Sequence, residues 1–223
     1  MYMLDVIDQI NYEIEKYSLL KHDFYKLWQE GKLTLDHLAG YSKEYFQMVK
    51  IIPDLVQNTL KNNTVKKYQN SIKNTLDDEL SHIEPWINFS SSLNVDKNEL
   101  LNYTADGLTK QSIDDLLKLS QSSFEESVSA LYAFEKELPK ISETKLEGLK
   151  KYYGITDDQS NEYFKIHKEV DIYHSKVWEN IIKEFSDDKR EKILKAAKLS
   201  LLAQNRLLNS IKNKYIGESV NVC

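Results

Sequence analysis

Residues that break helices are scarce in this chain, which has six glycines and three prolines among 223 residues. Glycine and proline are the costliest residues in a helix interior, so a chain this poor in both favours long helices. It also has no glycine-rich loop to cradle a phosphate. Apolar residues recur at helical spacing almost throughout. The periodicity predicts helices at about 3–19, 22–30, 34–60, 64–83, 85–92, 109–120, 122–137, 139–152, 158–184 and 187–214. Thr34 reads as an N-cap and Gly154 as a C-terminal stop. Pro53 is expected to kink the third helix, and Pro139 to open a new one after Glu137. The polar stretch from Ser90 to Thr109 reads as the longest connection. No alternating strand pattern, repeat or linker divides the chain. The expectation is an all-α bundle forming one domain over 1–223, with a flexible tail from about 216.

Composition narrows the function. A hydrophobic share of 41% supports a sizeable core. Charged residues make up 29% with a formal net charge of -5, and no basic stripe suggests nucleic acid as a partner. Apolar runs are short and broken by charge, so no membrane span is expected. The N-terminus, MYMLDVIDQINYEIEK, has acids where a secretory signal has a basic start, and the expected location is the bacterial cytoplasm. The one cysteine, Cys223, is the last residue; it cannot form an internal disulfide and is a poor candidate nucleophile.

Three segments place ligand-type residues on apolar helical faces. In YFKIHKEVDIYHSKVW, Phe164, Val170, Val177 and Trp178 mark the face, and His167, Asp171 and His174 fall on it at spacings of four and three. A carboxylate buried there needs neutralising, and two histidines with one carboxylate suit iron or manganese. Asp171 could instead pair with a histidine or cap a neighbouring helix. In SVSALYAFEKELP, Glu135 lies within the face of Val128, Leu131, Tyr132 and Leu138, as a ligand or as half of a buried salt bridge. In SIKNTLDDELSHIEPW, Glu79 lies between Leu76 and Ile83 and precedes His82 by three, a Glu-x-x-His spacing that bundles use to present metal ligands. If the helices face one another, three carboxylates meet three imidazoles. Two divalent cations would supply the charge that keeps the carboxylates together. His22 and His37 lack matching partners; His22 reads as a pocket or core residue and His37 as a surface one.

The segments LYAFEKELPKISETKLEGLKKYYGI and YFKIHKEVDIYH, with HDFYKLWQEGKLTLDHLAGYSKEYFQMVKIIP upstream, closely resemble the chlamydial proteins associating with death domains. Beyond them, the chain is similar to the haem-oxygenase-like dimetal oxidases and, more distantly, to pyrroloquinoline-quinone synthase C and thiaminase II. The resemblance covers roughly Leu20 to Phe185. It implies a haem-oxygenase-like bundle around a dimetal site of iron, or iron and manganese, with dioxygen as co-substrate. It carries ligand roles to Glu135, His167, Asp171 and His174, and to His82 with either Glu79 or Asp78; helical spacing favours Glu79. It also implies oxygen-dependent formation of p-aminobenzoate for folate synthesis from the protein's own tyrosine. FYKLW places that tyrosine at Tyr25, PKISETK places a nitrogen-donating lysine at Lys145, and Tyr41 matches another pocket tyrosine. Phe134 stands where those relatives carry a tyrosine.

Other readings remain open. With fourteen tyrosines, Tyr25 could simply pack, and Lys145 could be a solvated surface residue. A dimetal or cofactor-free oxidase could act on an external small molecule. Thiaminase II chemistry needs a core cysteine that this chain lacks, and haem oxygenase needs no carboxylate cluster. An interaction role with host death-domain proteins, following secretion into a host, belongs to another class of function, and a homodimer is a further candidate assembly.

Overall fold

In a computed structural model describing residues 5–217, every regular element is helical. The start of the first expected helix and most of the expected tail, Cys223 included, lie outside the described residues. The helices are α1 (Val6–Lys16), α2 (Asp23–Gln29), α3 (Leu35–Asn62), α4 (Gln69–Ser81), α5 (Ile83–Ser92), α6 (Lys97–Asn102), α7 (Gly107–Ser120), α8 (Phe124–Glu135), α9 (Leu138–Tyr152), α10 (Asp158–Ile182) and α11 (Arg190–Ile211). Short 3₁₀ turns precede α2, α4 and α11, and a π turn at Lys212–Ile216 follows α11.

The end signals read from the sequence have physical counterparts. Thr34 Oγ1 accepts from the His37 amide at 3.2 Å, and His37 Nδ1 accepts from the Thr34 amide at 3.2 Å. His37 is therefore a half-buried capping residue. His22 caps α2, its Nδ1 accepting from the Phe24 amide and its Nε2 facing Asn209 Oδ1 at 2.9 Å. Pro139 lies in the first turn of α9, and Gly154 adopts φ +69° just beyond its end. Helix α3 continues through Pro53 without ending.

Two expectations need correction. The stretch expected as the longest connection contains α6, whose first amides are held by Asp96 Oδ1 at 2.8 and 3.4 Å. Six residues are too few to show a period, although Asp96 followed by Glu99 is itself a capping signal. The helix expected over 64–83 ends at Ser81, and His82 forms a one-residue joint before α5. Pro85 explains the joint: it has no amide for the Ser81 carbonyl, so it fits only the first turn of a new helix.

Helix α8 is the centre of the bundle, with every residue from Ser127 to Glu135 buried. Helix α11 lies along it, with the Ser200 hydroxyl donating to the Ala130 carbonyl at 2.9 Å. Helix α10 packs against α5, α8 and α9, and α3 against α4, α5, α7 and α8. The apolar faces of α4, α8 and α10, with the acids and histidines they carry, turn towards one interior region. Helix α9 approaches α2 closely at Gly148, where a Cβ would overlap the indole of Trp28. That indole is fully buried and cannot move outwards. Gly148→Ala is expected to destabilise the fold by about 1–3 kcal/mol, the usual range for overpacking, as read by chemical denaturation; unchanged stability would show that α2 and α9 can separate freely.

Candidate metal centre and phenol pocket

Glu79 from α4, His82 from the joint, Glu135 from the last turn of α8, and His167, Asp171 and His174 from α10 are all buried and grouped together. Glu79, His82 and His167 each offer a ligand atom within 4.8 Å of the others. Glu79, Glu135 and His174 do the same, so Glu79 is common to both triads. Asp171 is in neither triad at that spacing, but its Oδ1 lies 3.5 Å from His174 Nδ1.

The donor set fits metal ions. Glu135 Oε1, His167 Nε2, both Asp171 carboxylate oxygens and His174 Nδ1 are buried without a hydrogen-bond partner. Orphaned buried polar atoms are rare and costly; here they belong to four residues of one cluster and are all potential ligand atoms. The histidines are also fixed from behind. The Tyr163 carbonyl, which can only accept, takes a hydrogen bond from His167 Nδ1 at 2.7 Å, leaving the Nε2 lone pair for the cluster. His174 Nε2 lies 3.1 Å from Asp78 Oδ2, so Nδ1 is the nitrogen that faces Glu79 Oε1 at 3.4 Å. Glu135 Oε2 accepts from the Trp178 indole at 2.6 Å.

Without cations, protons share out the charge. Burial works against ionised Glu79, but the nearness of His174, the hydrogen bond with His82 and the charge of His167 outweigh it and hold the carboxyl well below its ordinary range. Burial pushes Glu135 and Asp171 up, and their neighbouring carboxylates add to the effect. Burial also opposes protonation of His174, yet the close carboxylates of Asp171, Glu79 and Glu135 raise it to about 11.

A second cluster adjoins the first. Tyr25 on α2, Tyr41 and Tyr45 on α3, and Lys145 on α9 are all buried. Lys145 Nζ donates to the Tyr41 hydroxyl at 2.6 Å, and the Tyr41 and Tyr25 phenols lie close enough to act on each other's titration. The ammonium lies 5.5 Å from the Tyr25 ring, 5.2 Å from Tyr41, 5.0 Å from Tyr45 and 5.1 Å from Phe164. Burial lowers its pKa to about 7, so near neutral pH it divides between ammonium and free amine. Lys145 is thus not the solvated lysine that its position in a polar helix allowed.

Sequence reading missed Tyr45 and Tyr163, which join the clusters. Asp171 and Glu79 raise the pKa of the Tyr45 phenol further above the level that burial sets, and Tyr45 acts likewise on Tyr25. The Tyr163 ring stacks on His167 at 4.0 Å and meets Trp86 edge-on at 4.7 Å. Each stands four residues from a residue already singled out, Tyr45 after Tyr41 and Tyr163 before His167, so helical spacing alone points to them. Phe134 is buried at the wall of a small apolar cavity with Leu55, Leu116 and Leu131.

Two expected outcomes follow. If each triad holds an ion, Glu79→Ala should lose both and His82→Ala one, as read by elemental analysis of purified protein; equal metal content in the two variants would show that Glu79 is not shared. Lys145 has a folded-state pKa below its ordinary 10.5, so the unfolded chain binds more protons between about pH 7 and 10.5. The burial penalty is therefore full below pH 7 and fades as pH rises through that window. Lys145→Met is expected to stabilise the fold by about 4–5 kcal/mol at pH 7, from about three and a half pKa units at 1.36 kcal/mol each, and by progressively less towards pH 10; a pH-independent change would refute the burial account.

Comparison with known proteins gives the family and the fold. The chain is 30% identical to a 4-aminobenzoate synthase of Nitrosomonas europaea, with 93% of this chain and 91% of that protein covered. It is 26% identical to the 4-aminobenzoate synthase of Chlamydia muridarum, covering 87% and 85%. A domain of unknown function with a haem-oxygenase-like fold from Shewanella denitrificans superposes with a TM-score of 0.83 at 17% identity, over the full length of both chains. The bundle is therefore haem-oxygenase-like. A family model described as "iron-containing redox enzyme" matches residues 39–205, and with these likenesses it shows that the chain is a homologue of the 4-aminobenzoate synthases and belongs to the iron-containing redox enzymes.

Proposed function

We propose that this protein is a dimetal, oxygen-dependent oxidase that forms p-aminobenzoate, with Tyr25 supplying the ring and Lys145 the nitrogen. Glu79, His82, Glu135, His167, Asp171 and His174 would hold two ions of iron, or of iron and manganese, a metal choice that their nitrogen and oxygen donors suit. Bound there, such a pair supplies the binding and reduction of dioxygen. The observation that carries the reading is Lys145, a buried amine hydrogen-bonded to the phenol that contacts Tyr25, beside a cage of orphaned ligand atoms.

The product's connectivity sets a geometric condition. Its ring bears one carboxyl carbon and, opposite it, one nitrogen. A tyrosine ring released with Cβ attached has its hydroxyl at that opposite position. The amine must therefore reach the hydroxyl end of the ring, and the link from Lys145 through Tyr41 runs to that end of Tyr25. The conversion replaces the ring C–O bond by C–N, with the oxygen leaving as water. It cleaves Tyr25 Cα–Cβ and Lys145 Cε–Nζ, and oxidises Cβ to the carboxyl with dioxygen as oxidant. A free amine is the form that can attack carbon, and a pKa of about 7 provides it at neutral pH. Tyr41 holds the amine and the Tyr25 phenol in register, an effect of positioning. Full burial of Tyr25 and Tyr41 excludes water from the ring. The relatives' printed name, 4-aminobenzoate synthase, supports the same product.

The test is rescue of a bacterium that cannot make p-aminobenzoate, with wild type, Tyr25→Phe and Lys145→Arg compared, and with peptide mass spectrometry of residue 25 after turnover. Rescue by wild type alone, with mass lost at residue 25, is the expected outcome. Undiminished rescue by Tyr25→Phe would leave an oxidase acting on an external molecule.

A further inference from the structure

Asp78 is the residue next to Glu79, and the two carboxylates address opposite edges of one imidazole. Asp78 Oδ2 lies 3.1 Å from His174 Nε2, and Glu79 Oε1 lies 3.4 Å from His174 Nδ1. Their surroundings differ sharply: the Asp78 side chain is 48% exposed, whereas those of Glu79 and His174 are 3% and 0% exposed. Consecutive helical side chains diverge by about 100° at 3.6 residues per turn, so one reaches the ring from the solvent side and the other from within.

We propose that Asp78 is a positioning residue that selects Nδ1 of His174 as the ligand nitrogen of the Glu79–Glu135–His174 triad. The proposal rests on the metal reading given above. An ionised carboxylate can only accept, so a hydrogen bond to it puts the proton on Nε2. An imidazole that must keep Nε2–H can bring only its Nδ1 lone pair to a cation. Nδ1 is also the buried nitrogen without a hydrogen-bond partner, and Asp171 Oδ1 and Glu135 Oε2 lie 3.5 and 4.0 Å from it. His174 takes no part in the Glu79–His82–His167 triad, where the Tyr163 carbonyl does the equivalent work on His167. The bundle thus orients its two α10 histidines differently: one from a main-chain carbonyl of its own helix, the other from a half-exposed side chain on α4.

The difference lets one site be perturbed through a group that contacts only that site's histidine. Zinc serves as the probe, because it binds imidazole and carboxylate and permits nuclear magnetic resonance. Zinc would be titrated against a chromophoric chelator into wild type, Asp78→Ala and Asp78→Asn. Both variants should weaken one of the two binding steps roughly 10–100-fold, as loss of a ligand's outer hydrogen bond typically does, and the other by far less. Asparagine can donate as well as accept, so Asp78→Asn should also show a mixture of His174 tautomers in ¹⁵N spectra of the zinc-loaded protein, where wild type shows Nε2–H alone. Two unchanged binding steps, or equal weakening of both, would overturn the proposal. Wild-type protein that takes up no zinc would overturn the metal reading itself, a result distinct from either.

Discussion

Everything in this bundle accommodates three carboxylates, Glu79, Glu135 and Asp171, buried within reach of one another. Each costs several kcal/mol to desolvate as an ion, and mutual repulsion adds to that. A large apolar frame offsets the cost. Trp28, Trp86 and Trp178 are fully buried, and each removes on the order of 4–6 kcal/mol worth of surface from water, taking roughly 150–250 Å² at 25 cal/mol/Å². The frame also directs the charges: Trp178 donates to Glu135, and Trp86 packs against Tyr163, whose ring covers His167. The charge the carboxylates need then comes from protons on the histidines or, in the reading proposed above, from cations that the histidines help to hold.

The phenol pocket uses burial in the opposite sense. Here one cation is desolvated with only rings and hydroxyls around it, which loosens its hold on a proton and makes the amine available. The two clusters differ in what answers burial: opposite charge in the first, loss of charge in the second. Tyr45 and Tyr163 form the boundary between them and feel both sides.

Much of this was legible in the sequence because helices convert spacing into direction. His167, Asp171 and His174 share a face by arithmetic, as do Glu79 with Leu76 and Glu135 with Leu131, and the structure buries all of them. Helix ends with side-chain caps, such as Thr34, were equally readable. What spacing cannot give is which faces meet across the bundle. Asp78 differs from Glu79 by one position, and either acid could have been the ligand; only the placement of α10 relative to α4 shows one inside the ring of His174 and the other behind it. The burial of Lys145 was hidden for the same reason: a lysine on a helix rich in charge gives no sign that α2 and α3 cover it. The short α6 was missed because six residues hold less than two turns of pattern.

Glu79 belongs to both triads, so in the dimetal reading proposed above the two ion sites would be thermodynamically dependent. Whatever one occupant does to the position or charge of that carboxylate, the other experiences. Linkage then requires the first ion to change the affinity for the second by the same factor whichever is loaded first. Two different metals bound here would therefore be chosen as a pair, since the identity of one enters the binding constant of the other through a single side chain.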